Sequence, residues 1–275
     1  LEFLKFGKAD TDFISILFCD IRSFTSLSEK MTPQELVDFL NDFFKRMTAP
    51  ISQNKGFVDK FIGDCVMALF SIPEEPNDTD GLNSVMAAIS MQEQIDSFNV
   101  DNNRSGDNLL RVGVGIHSGP VIIGTVGSEE RMESTVTGDT VNMAARLEGL
   151  TKFYRSKILI SQSTHDFIQH ESNIESRELD LVQVKGKEEP VTIFEVCNSD
   201  PEPIREQKLG SREKFAEALI NYRAQKWTAA TTDFKSCLKD CPADGAAALY
   251  LERCKIFKNT PPPKDWKGEQ VFTQK

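Results

Sequence analysis

The first apolar block, FISILFCDI at residues 13–21, is partly β-branched and flanked by polar residues, which predicts a buried strand. The period then changes. In MTPQELVDFLNDFFKRMTAPI, residues 31–51, Leu36, Phe39, Leu40, Phe43, Phe44 and Met47 recur every three or four positions and predict an amphipathic helix. Thr32 is placed to cap it, with Pro33 in the first turn and Gln34–Glu35 at its positive end. NKGF turns the chain into FVDKFIGDCVMALFSI, which predicts two short strands around Ile62–Gly63. PEEPNDTDG is a loop, and SVMAAISMQEQIDSF predicts a second amphipathic helix. RVGVGIHSGPVIIGTVG, residues 111–127, predicts a hairpin with Ser118–Gly119–Pro120 as its turn. A third helix is expected over 138–150, then short strands and a helix to about Val196.

This succession predicts an α+β fold, a mixed sheet covered by helices, followed by a small all-helical segment. Residues 1–12 form a connector, 13–197 the α+β domain, and the polar, proline-containing 198–210 a linker. Residues 211–258 resemble one tetratricopeptide-type repeat: Phe215, Ala218, Leu219 and Tyr222 on one helix, Trp227, Ala230, Phe234 and Leu238 on the next. A single repeat leaves its faces uncovered, so docking on the first domain or on a second chain is expected. Residues 259–275, opening with a proline run, are an extended tail.

Composition narrows the function classes. The formal charge is −10, against a general nucleic-acid or anionic-membrane binder. No apolar run reaches the ~18–20 residues of a membrane helix, and no secretory signal opens the chain. The six cysteines form no CxxC pair; Cys237 and Cys241 lack a nearby histidine, so reduced thiols in a cytoplasmic protein are expected. The chain opens on Leu1, which suggests a fragment with a sensor or membrane region upstream.

The candidate chemistry begins with acids. Asp20 ends an apolar run and needs a basic partner, a solvated turn or a metal ion. Asp64 sits in the FIGDC turn; if the two strands are neighbours, both carboxylates meet at one sheet edge, where a divalent cation would relieve their repulsion. Two solvated turn aspartates are the alternative. Ser23–Phe24–Thr25 could present backbone N–H groups to an anion. Arg111 opens a strand, Lys185 and Lys187 flank Gly186, and Arg146 lies one helical turn after Asn142. Each cation alone could equally be a solvated surface charge.

FCDIRSFTSLSE, KGFVDKFIGDCVMALF, RVGVGIHSGPVIIGTVGS and TVTGDTVNMAARLE occur in the order found in class III nucleotidyl cyclases, and the chain resembles that family over about residues 13–196. The resemblance implies a ferredoxin-like class III cyclase domain that works as a homodimer with ATP or GTP bound across the interface. It implies that Asp20, Asp64 and the Ile21 carbonyl hold two magnesium or manganese ions per site. Phe24 and Thr25 match the backbone cradle for the phosphates, and Arg111 and Lys185 match phosphate-binding cations. Asn142 matches the ribose-positioning amide and Arg146 the cation that stabilises the transition state, both reaching the site of the other protomer.

Lys60 and Thr135 match the purine-selecting pair. A lysine donates to the N1 acceptor of adenine, whereas guanine carries a proton at N1; a threonine hydroxyl can accept from the adenine N6 amino group. Ser134 stands where relatives have an aromatic. The expected activity is that of an adenylyl cyclase forming 3′,5′-cyclic AMP and pyrophosphate. The alternatives are a guanylyl cyclase, a silent nucleotide-binding module of the same fold, or a scaffold acting through its C-terminal helices.

Overall fold

The apolar block near the start of the chain becomes the centre of a nine-stranded sheet in the computed structural model, which describes residues 9–71, 79–127, 132–184, 189–263 and 266–272. Strand β1 (Ala9–Ile21) pairs antiparallel with β3 (Cys65–Phe70) on one side and β4 (Val112–Gly127) on the other. The sheet runs from β2 (Phe57–Ile62) through β3, β1 and β4 to β6 (Ile158–Ser161), β8 (Val191–Val196), β7 (Ser176–Val184) and β9 (Gln270–Phe272). A further strand, β5 (Met132–Thr137), pairs with the far half of β4.

Alternation along β1 assigns its side chains to two cores. Leu17, Cys19 and Ile21 pack under α2 (Pro33–Gln53) and α3 (Asp80–Asp101), against Phe43, Met47 and Met91. Ile14, Ile16 and Phe18 face the other way, toward Ala144 of α4 (Asp139–Tyr154). The α2 cap is a complete capping box: the Glu35 N–H donates to the Thr32 hydroxyl at 3.3 Å, and the Thr32 N–H donates to Glu35 Oε2 at 2.8 Å. A methyl group on Gly115 would lie 2.0 Å from the Glu148 backbone nitrogen, so this glycine lets α4 lie flush on β4.

The expected hairpin at Ser118–Gly119–Pro120 is absent. β4 continues through it, with Ile14 opposite Gly119 and Phe13 opposite Pro120. The Pro120 carbonyl accepts from the Thr140 hydroxyl at 2.6 Å and so points away from β1. The missing Pro120 N–H points the same way, toward the gap between β6 and β5, and removes nothing from the β1 ladder. Pairing along thirteen residues of β1 overrides the local turn chemistry.

Helix α5 (Gln162–His165) follows β6, and the segment expected as a linker contains α6 (Ile204–Gly210), whose Lys208 is buried. Helices α7 (Arg212–Arg223), α8 (Trp227–Asp240) and α9 (Gly245–Asn259) dock on the sheet rather than standing free. Phe215, Tyr222, Phe234 and Tyr250 share one core with Leu147 and Tyr154 of α4 and Leu179 of β7. Buried ion pairs reinforce the contact. Arg177 reaches Glu195 on the adjacent strand and Asp244 at the α9 N-terminus, the latter through two 2.8 Å bonds. Lys208 bridges Glu195 at 3.1 Å and Asp200 at 2.7 Å, and Arg253 meets Asp180 at 2.6 Å. The tail ends in β9, parallel to β7, with Phe272 edge-on to Phe153.

Two consequences can be measured. Gly115→Ala is expected to destabilise the protein by about 1–3 kcal/mol or more in urea unfolding, because backbone has to move to admit the methyl group. Arg177 and Lys208 hold the Glu195 carboxyl down at about 2 despite its burial. Its stabilisation is full above the unfolded value of about 4.3 and disappears as pH falls through about 2. Glu195→Gln should therefore cost about 3–5 kcal/mol at pH 7, with the difference from wild type shrinking in acid.

Candidate active site

Because Asp20 follows Phe18 by two residues, it shares the α4 face of the sheet rather than the α2–α3 face. The short turn between β2 and β3 brings Asp64 beside it, and Asp64 Oδ2 accepts the Ile21 N–H at 3.3 Å. Asp20 and Asp64 share a hydrogen bond. Burial first, then that bond and the charges of Asp64 and Glu148, push the Asp20 carboxyl up to about 7 against the Ile21 N–H.

Two neighbouring residues were not singled out by the sequence reading. Arg22 Nη1 pairs with Glu148 Oε1 of α4 at 3.3 Å. Burial pushes the Glu148 carboxyl up to about 7, with Arg22 opposing and Asp64 adding. Glu148 lies four residues after Ala144 and directly after Leu147, within the buried stripe of its helix. A charge inside an apolar stripe is the signal that could have found it.

The remaining candidates are distributed around this pair. Phe24 and Thr25 open α1 (Phe24–Ser28), behind Ser23 in the left-handed region at φ 57°. The Arg111 carbonyl accepts the Arg22 N–H at 2.8 Å, and its guanidinium turns outward to the Gly106 carbonyl at 3.3 Å. Lys60, on β2, pairs with Asp59 at 3.2 Å. Asn142 and Arg146 lie on the side of α4 away from its buried stripe, and no hydrogen bond or ion pair joins either to the Asp20–Asp64 pair among the described residues. The backbone of Thr135 is paired opposite Gly124. Its side chain, that of Ser134, and residue Lys185 lie outside the described residues.

The donor set at Asp20 fits a divalent cation. Burial and the neighbouring Asp64 and Glu148 carboxyls push Asp20 up, a repulsion that a hard cation with oxygen ligands would relieve, and the third acid, Glu148, stands behind the pair with one guanidinium. Glu195, Cys197 and Asp200 also converge, but Lys208 and Arg177 already neutralise that group, so its charge needs no ion. All six cysteines are free thiols. No helix among the described residues is long and apolar enough to cross a membrane.

Residues 7–196 match the family described as Adenylate and Guanylate cyclase catalytic domain. The adenylate cyclase of Dictyostelium discoideum that is specific to terminal differentiation is 38% identical over 257 residues, covering 92% of this chain and 12% of that protein. The chain spans between 12% and 39% of the length of such curated relatives. The crystal structure of the adenylyl cyclase CyaB from P. aeruginosa superposes with a TM-score of 0.62 at 31% identity, over 69% of this chain and 95% of that one. The crystal structure of the guanylyl cyclase Cya2 gives 0.59 at 32% identity, over 71% and 96%.

The acid pair generates a pH-dependent expectation. A carboxyl raised in the folded state destabilises the protein as pH climbs from its unfolded value of about 3.9 through about 7. Metal-free Asp20→Asn should therefore melt above metal-free wild type at pH 8, with the gap closing below about pH 5. Mn²⁺ should raise the melting temperature of wild type and leave that of Asp20→Asn unmoved, as read by scanning fluorimetry.

Proposed function

The chain belongs to the adenylate and guanylate cyclase catalytic domain family, and on that footing we propose that it converts ATP to 3′,5′-cyclic AMP and pyrophosphate at two sites shared across a homodimer. The observation that carries the reading is the acid pair at the end of β1, where the Asp20 and Asp64 carboxyls lie side by side in a position suited to a cation. Asp20, Asp64 and the Ile21 carbonyl would hold two magnesium or manganese ions, which when bound activate the ribose 3′-hydroxyl and neutralise the triphosphate.

The other roles belong to the chain's own groups. Backbone N–H groups at Phe24 and Thr25 cradle phosphate oxygens, and Arg111 and Lys185 add charge to the triphosphate. Asn142 orients the ribose, and Arg146 meets the negative charge that grows on the α-phosphate during in-line attack by the 3′-oxygen. Lys60 donates to adenine N1, and the Thr135 hydroxyl accepts from the N6 amino group. Guanine would set the Lys60 donor against a protonated N1, which costs about 1–3 kcal/mol.

Two sets of candidate residues on one chain, set apart from each other, support the reading of a homodimer. Asn142 and Arg146 stand apart from the acid pair and are available to a partner. Free cysteines and the lack of a membrane-length helix among the described residues support a cytoplasmic setting. The greater length of the curated relatives supports control by a separate sensor domain.

Purified protein with Mn²⁺ and ATP should release cyclic AMP, with kcat/KM for ATP above that for GTP by about tenfold or more. A GTP preference would refute the assignment of Lys60. A dimer that binds nucleotide without product would make it a silent module. Asp64→Ala and Arg146→Ala should each be nearly inactive alone, and mixing them should restore activity through the one intact site of the heterodimer. Persistent inactivity despite demonstrated subunit exchange would refute the shared site.

A further inference from the structure

Helix α4 is anchored at three heights. At its first turn the Thr140 hydroxyl donates to the Pro120 carbonyl at 2.6 Å. At mid-length Gly115 admits its backbone, and Glu148 pairs with Arg22. Both anchors lie within the span that matches the cyclase family, residues 7–196. The third sits at the last turn and depends on α9, a helix beyond that span. There the Tyr154 hydroxyl donates to Asp180 Oδ2 of β7 at 2.5 Å, and Arg253 Nη1 of α9 donates to the same oxygen at 2.6 Å.

This last anchor is made of buried charge. Asp180, Tyr154 and Arg253 are all buried. The guanidinium carbon lies 4.9 Å from the ring centre of Tyr250 on its own helix and 5.2 Å from that of Phe153 on α4, which fixes its plane. Nη2 of the same group reaches the Tyr154 hydroxyl at 3.4 Å, and the Tyr250 hydroxyl donates to the Leu179 carbonyl at 2.9 Å. One carboxylate oxygen therefore takes a donor from α4 and another from α9. Without Arg253 the Asp180 charge would be left buried and uncompensated, and the contact would have to open to water.

The consequence falls on the candidate chemistry carried by α4. Arg146 and Tyr154 belong to one unbroken helix, about 12 Å apart along its axis, so a movement at the last turn passes up the helix. Freed at that turn, α4 can rock over the Gly115 contact and take Asn142 and Arg146 with it. We propose that Arg253 is a positioning residue, through which α9 holds α4 so that Asn142 and Arg146 meet the acid pair of a second copy in register. The effect on turnover rests on the shared-site reading above; the effect on α4 itself does not.

Arg253→Met removes the cation and keeps an unbranched side chain. Hydrogen exchange, followed by mass spectrometry on the full chain, should quicken about tenfold in peptides of α4 and stay unchanged in those of β1 and β3. Unchanged exchange in α4, or a rise in every segment alike, overturns the proposal. Arg253→Lys keeps a cation against Asp180 and should restore most of the protection; failure to do so overturns the role of the ion pair. Turnover is read in heterodimers with one working site, to which the Asp64→Ala chain lends its α4 and the Arg146→Ala chain its acids. Arg253→Met added to the Asp64→Ala chain should lower kcat about tenfold to hundredfold with KM for ATP little changed. Added to the Arg146→Ala chain, it should change neither. Equal kcat in the two arrangements, or the reverse order, overturns the proposal, because misfolding or weakened dimerisation follows the variant wherever it sits. If the two chains fail to complement without the third substitution, the shared-site reading fails and the exchange result alone decides.

Discussion

The flush seat of α4 on β4 is the contact on which the candidate site depends. Gly113 and Gly115 lack the side chains that would hold the helix away; one gives its space to Arg22 and Thr151, the other to the Glu148 backbone. That approach brings Glu148 within reach of Arg22 and sets its charge beside Asp20 and Asp64. The same helix carries Asn142 and Arg146 on its other side. One rigid element therefore backs the acid pair with its buried stripe and presents the opposite set of groups outward. A shift of α4 would alter both at once.

The helices after the sheet are joined to it by electrostatics as much as by apolar area. Arg177 links β8 to α9, Lys208 links β8 to α6, and Arg253 links α9 to β7, all with little solvent. Buried charges tolerate few alternative arrangements, because displacing one partner leaves the other uncompensated. The helices are thus held in one register against α4 and β7, and their core includes Leu147 and Tyr154 of α4. Ile204 and Lys208 of α6 form one wall of a groove beside the start of β4 and the end of α4.

Much of this was legible in the residues. The stripe Phe39, Phe43, Met47 announced α2 and Thr32 was placed to cap it, while the reciprocal bond of Glu35 to the Thr32 N–H appears in the structure. Asp20 and Asp64 each close an apolar run, so their meeting required only that β1 and β3 be neighbours. The failures have one cause, long-range pairing. Ser118–Gly119–Pro120 has the chemistry of a turn, and only the partner strand shows why it remains extended. Residues 198–210 look like a linker because Lys208 reads as a surface charge until Glu195 and Asp200 are found around it. Arg22 was hidden in the same way, since its partner lies 126 residues downstream.

The short tail strand has a consequence for how the molecule assembles. A sheet open at both edges can be prolonged by copy after copy, because head and tail complement each other without limit. Here β9 covers β7 and reduces that edge to three residues, while β2 at the opposite end keeps Phe57, Phe61 and Ile62 exposed. Among the described residues the strands left at an edge are the three-residue β9, β5 and β2, and of these β2 offers an exposed apolar face to a like copy. Contact of β2 with β2 would be self-complementary and close after two copies, whereas contact between unlike edges would not close.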